Sequence, residues 1–220
     1  MVPIIHPRTI AATLSMVAVV AVCGCDTDTP ISLPVAPASS MIGQIYSSKA
    51  FVRPLTVFVD PRLASPPSRD SRNLLSWDAV AAPENKIRFL VPVELYRPGS
   101  FTPEPIPADY LTYLQGLGTD LSQVVKLSVD GHPSTLMTMT WTVDAGHPEG
   151  SFDGALGCPA RGLGRSSEDC YGPQPDLVLR LAFIDVAGTP LLAWARMSKD
   201  HPDPAFTAVF ERMLTTVRFP

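Results

Sequence analysis

The sequence predicts an α+β fold with a mostly antiparallel β-sheet. Two pairs of strand-like segments predict the sheet, because short turns join each pair, Asp130-Gly131-His132-Pro133 in one and Ala187-Gly188 in the other. An amphipathic helix near the C-terminus would cover one face of it. Hydrophobic residues make up 45% of the 220 residues and charged residues 17%, which supplies enough apolar material for one core.

The first elements are two strands. Residues 55–59 form a short apolar run, and residues 86–96 alternate, with apolar side chains on one face. Proline cannot donate a ladder hydrogen bond, so Pro92 predicts an edge or bulged strand. A short helix is expected next, from Pro107 and Asp109 to the stop at Gly118.

The two hairpins follow. Residues 123–129 and 134–143 flank the first turn, and residues 176–186 and 189–197 flank the second. If the second turn is tight, Leu179 and Trp194 share one face, while Ile184 and Ala193 share the other. Both faces of this hairpin are then apolar, so both need cover.

The C-terminal helix is the clearest in the chain. Asp203 can cap it, Pro204 suits its first turn, and five apolar residues recur at helical spacing. They are Phe206, Val209, Phe210, Met213 and Leu214. Residues 215–219 are expected to return as a last strand.

Residues 1–24 have the pattern of a secretory signal, since Arg8 precedes an apolar run that is too short to span a bilayer. The run ends in Val22-Cys23-Gly24-Cys25, which resembles the bacterial lipoprotein signal and departs from its usual pattern at Cys23. The resemblance implies a diacylglycerol thioether, with palmitate or a similar acyl chain, at Cys25, and anchoring to the cell membrane. Cleavage near Ala21, or an uncleaved anchor, are the alternatives.

With Cys23 lost and Cys25 lipidated, Cys158 and Cys170 remain, and an oxidising compartment would pair them. Such a bridge would stabilise the fold by about 3 kcal/mol in the chain-entropy model. A redox pair is the alternative, although the two lack Cys-x-x-Cys spacing. The predicted organisation is a signal at 1–24, a Pro/Ser/Thr-rich tether at 25–45 and one domain at 46–220, with a first irregular strand as the alternative to the tether.

Net charge is −4, with no basic surface that indicates nucleic acid. The chain has no phosphate loop, dinucleotide fingerprint or Gly-x-Ser-x-Gly elbow, so we expect no cofactor. A metal site is a weaker hypothesis, nucleated by His132, His147 and Glu149 with Asp144. His-Pro turn chemistry on exposed loops is the alternative for these histidines.

The order of hairpin, amphipathic helix and short terminal strand, with residues 210–219, resembles the Mog1/PsbP-like α/β/α group. Residues 129–133, 156–159 and 170–177 are similar to uncharacterised actinobacterial exported proteins. These resemblances imply an α/β/α sandwich that binds or scaffolds without an assigned reaction. Neither carries catalytic residues.

The candidate ligand-binding residues are charged side chains on the Gly-rich loop between the cysteines and on one apolar strand. They are Arg161, Arg165, Glu168 and Arg180. Arg180 interrupts an apolar strand, so it either serves an acidic ligand or pairs with an internal carboxylate. Trp141 and Trp194 are expected in the core.

The sequence thus predicts a membrane-anchored, extracytoplasmic lipoprotein that binds a small ligand or an envelope protein without catalysis. A metal-assisted hydrolase of envelope components is the alternative enzyme. A third class is a structural or regulatory lipoprotein that acts through a neighbouring membrane protein.

Overall fold

The computed structural model describes residues 43–141 and 152–220. The described strands, in chain order, are β1 (Gln44–Ser47), β2 (Thr56–Val59), β3 (Arg69–Asp70), β4 (Leu74–Asp78), β5 (Lys86–Leu90), β6 (Glu94–Tyr96), β7 (Pro103–Pro105), β8 (Asp120–Val129), β9 (His132–Thr140), β10 (Leu177–Val186) and β11 (Thr189–Ser198). Helix α1 spans Tyr110–Gln115 and α2 spans Pro204–Thr216. No helix in these ranges is long and apolar enough to cross a membrane.

The central sheet confirms the predicted α+β class. Within the described residues it has seven antiparallel strands in the order β3-β4-β5-β11-β10-β9-β8. Both predicted hairpins form, with two-residue turns at Asp130-Gly131 and Ala187-Gly188, where all four residues have positive φ. In β8 the register shifts between Ser122 and Val125, beside Gln123 with φ 50°.

Each face of the sheet has its own core. On one face, Ile184, Ala193 and their neighbours pack under α2, whose five predicted apolar residues are all buried. On the other face, Leu179, Trp194 and their neighbours pack under α1 and the segment that begins at Phe152. The predicted division of the β10–β11 hairpin into two apolar faces is therefore confirmed.

Both helices begin at the predicted caps. Hydrogen bonds from the Thr112 side chain and from Thr112 N lower the pKa of Asp109, and the carboxylate accepts the bond from Thr112 N at 3.1 Å. The Asp203 carboxylate accepts one from Phe206 N at 3.0 Å, and Pro204 occupies the first turn of α2.

Two strand predictions were wrong. The expected strand at 86–96 is two strands, because the chain leaves the sheet after Leu90 and Pro92 lies in the break. β5 is an interior strand between β4 and β11, so Pro92 is not part of an edge. The expected last strand at 215–219 is also absent: α2 continues to Thr216, and afterwards only an isolated bridge joins Arg218 to Thr56.

The start of the domain differs slightly from the expected boundary. Strand β1 begins at Gln44 and pairs with β2, so regular structure starts two residues before the expected domain start at 46. Residues 44 and 45, expected in the tether, are therefore part of β1. Residues 1–42, which contain the predicted signal and Cys25, lie outside the described residues.

Candidate functional site

The Cys158–Cys170 disulfide anchors a loop against the break between β5 and β6. The bridge joins residues whose Cα atoms are 4.3 Å apart, and both cysteines are fully buried. Cys158 N donates to Glu94 O at 2.8 Å, while Val93 N donates to Cys158 O at 2.9 Å. The predicted pairing of these cysteines is thereby confirmed.

Further hydrogen bonds hold the interior of this loop. Gly162 N donates to the buried Glu94 carboxylate at 2.8 Å, and the Tyr96 hydroxyl donates to Leu163 O at 2.7 Å. Burial makes such bonds costly to break, since a lost partner leaves Glu94 desolvated. The loop is therefore a fixed platform.

The three predicted loop residues have different roles on this platform. Arg165 donates to Ser100 O at 2.7 Å, and its guanidinium lies 5.0 Å from the centre of the Phe101 ring, so it fastens the loop to the β6–β7 connection. Arg161 and Glu168 are exposed. The latter two are thus the members of the set that present charge to solvent.

Arg180 lies on the other side of the sheet. Its Nε donates to Glu211 Oε1 at 2.8 Å, and its Nη1 donates to Gln123 O at 3.2 Å and Thr138 Oγ1 at 3.1 Å. Glu211 belongs to α2, whereas the disulfide loop joins the face that α1 covers. The structure therefore does not bring Arg180 together with Arg161, Arg165 and Glu168, and the internal ion pair is the alternative that its surroundings match.

Of the predicted metal ligands, His132 lies in the described residues. The His132 ring packs edge-on against Phe219, with ring centroids 5.1 Å apart. His147, Glu149 and Asp144 lie outside the described residues. Within 43–141 and 152–220, no group of three or more His, Cys, Asp or Glu side chains could hold a metal ion.

A row of arginines that the sequence did not single out lies beside the disulfide loop. Neighbouring strands align Arg69 with Ser76, Ser76 with Arg88, and Arg88 with Trp194, so these side chains share the α1 face of the sheet. Arg196 and Lys86 lie in the adjacent row on the same face, opposite Asp78. We call the four basic side chains of these two adjacent rows, three arginines and one lysine, the arginine row: Arg69, Lys86, Arg88 and Arg196.

Arg88 is the central member of this row. Its guanidinium carbon lies 4.6 Å from the centre of the Tyr171 ring and 6.0 Å from that of Trp194. Its Nε is buried and has no hydrogen-bond partner among the described residues. Burial, with like charge from Arg196 and Arg69, lowers the pKa of Arg88 to about 10.

Tyr171 connects the arginine row to the disulfide loop. It follows Cys170 directly and is buried. Arg69 Nη1 lies 3.5 Å from its hydroxyl oxygen, and its ring packs against Trp194 with centroids 5.6 Å apart. Burial also lowers the pKa of Arg196. The row and the loop therefore form one continuous surface.

Two tyrosines of α1 close the far side of the same core. The Tyr110 hydroxyl donates to Leu156 O, and the Tyr113 hydroxyl donates to Ala155 O at 3.1 Å. Burial raises the pKa of Tyr110 well above its ordinary value and that of Tyr113 to about 12, so both stay protonated donors at neutral pH. These two hydrogen bonds hold the segment before the disulfide loop against α1.

A concave surface lies beyond α1 on this face. It has a volume of about 410 Å³. Its lining includes Leu111, Lys126, Pro133, Thr135, Phe183 and Asp185. Its lining residues include no member of the arginine row.

No protein-family model matches the chain, and no curated protein matches it. Among solved structures, a Bacteroides thetaiotaomicron protein is similar with a TM-score of 0.42 and 6% identity, covering 82% of this chain and 49% of that one. A Pseudomonas aeruginosa protein of unknown function is similar with a TM-score of 0.40 and 15% identity, covering 81% of this chain and 99% of its own. This chain thus spans about half the length of the Bacteroides thetaiotaomicron protein.

Proposed function

We propose that this chain is a lipid-anchored, extracytoplasmic domain that binds a small ligand or an envelope protein without transforming it. The observation that carries the proposal is the Cys158–Cys170 bridge. Disulfides persist in oxidising compartments outside the cytoplasm, which agrees with export through the segment before Cys25. The same bridge fixes a polar loop on the sheet, and loops on rigid scaffolds commonly carry binding.

The proposed anchor is tested by labelling the exported full chain with a radioactive fatty acid. The wild-type chain is expected to incorporate label, and Cys25→Ser is expected to lose it, because the thioether needs the Cys25 thiol. Cys23→Ser is the matched control and is expected to keep the label. Equal labelling of the Cys25→Ser variant and the wild type would contradict the anchor.

The proposed binding surface is tested with its two exposed charges, so that the fold is left intact. The double variant Arg161→Ala, Glu168→Ala is compared with Lys49→Ala, Asp200→Ala, whose sites are also exposed. After extraction from envelopes, native mass spectrometry is expected to find a bound molecule or partner with the wild type and control, and less with the loop variant. Equal occupancy in all three proteins would count against the loop.

A further inference from the structure

We infer that the arginine row binds the phosphoryl group of a ligand, with Arg88 as its central contact. This inference rests on the proposed function, because it names the ligand class of the same surface. The juxtaposition that carries it is a guanidinium desolvated against Tyr171 and Trp194, with Arg69 and Arg196 beside it.

The hydrogen-bonding state of Arg88 is the first argument. Buried guanidinium groups are normally paired with carboxylates or carbonyls, as Arg180 is with Glu211 and Gln123. Arg88 differs, because its buried Nε has no hydrogen-bond partner among the described residues. Its contact with the Tyr171 ring stabilises the charge but does not satisfy the Nε–H donor.

The charge of the surroundings is the second argument. Two carboxylates act on the arginine row: Asp78 binds Lys86 at 2.7 Å, and Asp176 favours the charged form of Arg196. Against these two carboxylates the row has four positive charges. An excess of this size, on planar donors that match a tetrahedral oxyanion, fits a phosphate dianion better than a single carboxylate.

The position of the row supports access from solvent. Arg69 is exposed on β3, which is an edge strand of the central sheet, and Arg88 lies two strands inward in the same row. A phosphoryl group at this edge would contact Arg69 from the open side and Arg88 from the inner side. Tyr171 would then flank it with an aromatic ring and a hydroxyl.

The source of the phosphoryl group is either a soluble phosphate compound or a lipid headgroup. The full chain, exported and purified in detergent, is therefore titrated in parallel with inorganic phosphate, with glycerol 3-phosphate, and with mixed micelles that contain phosphatidic acid. Micelles that contain phosphatidylcholine alone are the background. Binding of the small phosphates identifies a soluble source, and binding of phosphatidic acid micelles alone identifies a lipid source.

Either kind of binding supports the inference if it depends on the row. Arg88→Gln is expected to raise the dissociation constant about tenfold or more, and Arg69→Gln is expected to raise it about threefold or more. Arg69 is exposed on a two-residue strand, so its variant keeps the test valid if Arg88→Gln does not fold. The control is Arg72→Gln, which removes an equal charge from an exposed neighbouring position and is expected to leave binding unchanged.

The inference is overturned if none of the three probes binds the wild-type chain, or if both row variants bind as tightly as the wild type. Fatty-acid labelling of the same preparations keeps the two proposals apart. A chain that incorporates the fatty acid but does not bind phosphate would contradict the phosphoryl site and support the anchored domain. An unlabelled chain that binds phosphate does the reverse.

Discussion

Replacing Arg88 with methionine is expected to stabilise the ligand-free protein. Burial lowers the pKa of Arg88 to about 10. A depression of this size corresponds to a cost on the order of 3 kcal/mol for the charged guanidinium in the folded state. Because the folded pKa lies below the unfolded one, the cost is fully present below about pH 10, the value of that pKa. It is relieved only as the pH rises towards the ordinary arginine value.

The expected net gain is smaller than this cost. Methionine keeps an unbranched stem without charge, but the cation–π contacts with Tyr171 and Trp194, worth about 0.5–2 kcal/mol, are lost. The free energy of unfolding should therefore rise by about 1–2 kcal/mol, in line with hydrophobic replacements of buried charges. For a domain of this size the melting temperature should rise by about 2–8 °C.

Differential scanning calorimetry of the full chain in phosphate-free buffer at pH 7 measures this change. Arg72→Met is the control, because Arg72 is exposed and its replacement should shift the melting temperature little. Added phosphate should raise the melting temperature of the wild type and leave Arg88→Met unchanged. A melting temperature for Arg88→Met below that of the control would refute the reasoning, since it would mean that Arg88 is already paired in the free protein.

Three further predictions concern stability and are checked by urea unfolding of the exported chain. The double variant Cys158→Ser, Cys170→Ser should lose about 2–4 kcal/mol, because the closed loop no longer restricts the unfolded chain; an unchanged midpoint would show that the bridge does not stabilise the fold. Asp203→Ala should lose about 1 kcal/mol through the missing cap of α2, with Asp200→Ala as the control, and equal midpoints for the two would contradict the capping role. Glu211→Gln should lower the free energy of unfolding by about 1–2 kcal/mol, because the buried Arg180 loses its carboxylate partner. The loss is smaller than for a fully buried ion pair, since Glu211 is partly exposed. A gain in stability would reject that pairing.

The parts of the fold that the sequence predicted have strong local signals. Each hairpin has a two-residue turn that tolerates positive φ, and alternation then sets the two faces of its strands. Helix α2 combines a cap, a first-turn proline and five regularly spaced apolar residues. These features depend only on neighbours in the chain, so they can be identified without knowing the fold.

The missed parts depend on contacts between distant segments. The buried pattern of β4, Leu-Leu-Ser-Trp-Asp, lacks alternation, because both faces of this interior strand are covered. The end of β5 at Leu90 follows from the docking of Val93 on Cys158, which is far along the chain. The predicted strand at 215–219 did not form because residues 215 and 216 continue α2 instead.

The candidate site divides in the same way. The cysteine pair followed from counting, and the exposed charges of its loop followed from composition. Arg88 gave no comparable signal, because a charged residue in an alternating strand ordinarily faces solvent. Only the return of Tyr171 and Trp194 to the same face makes it unusual.

The most direct test of an anchored extracytoplasmic domain is peptide mass spectrometry of the chain extracted from membranes of an exporting bacterial host. The account predicts that the first peptide begins at Cys25 and carries a diacylglyceryl group, and that a non-reduced peptide joins Cys158 to Cys170. A chain that begins elsewhere without lipid, or that has free thiols at both loop cysteines, would contradict it.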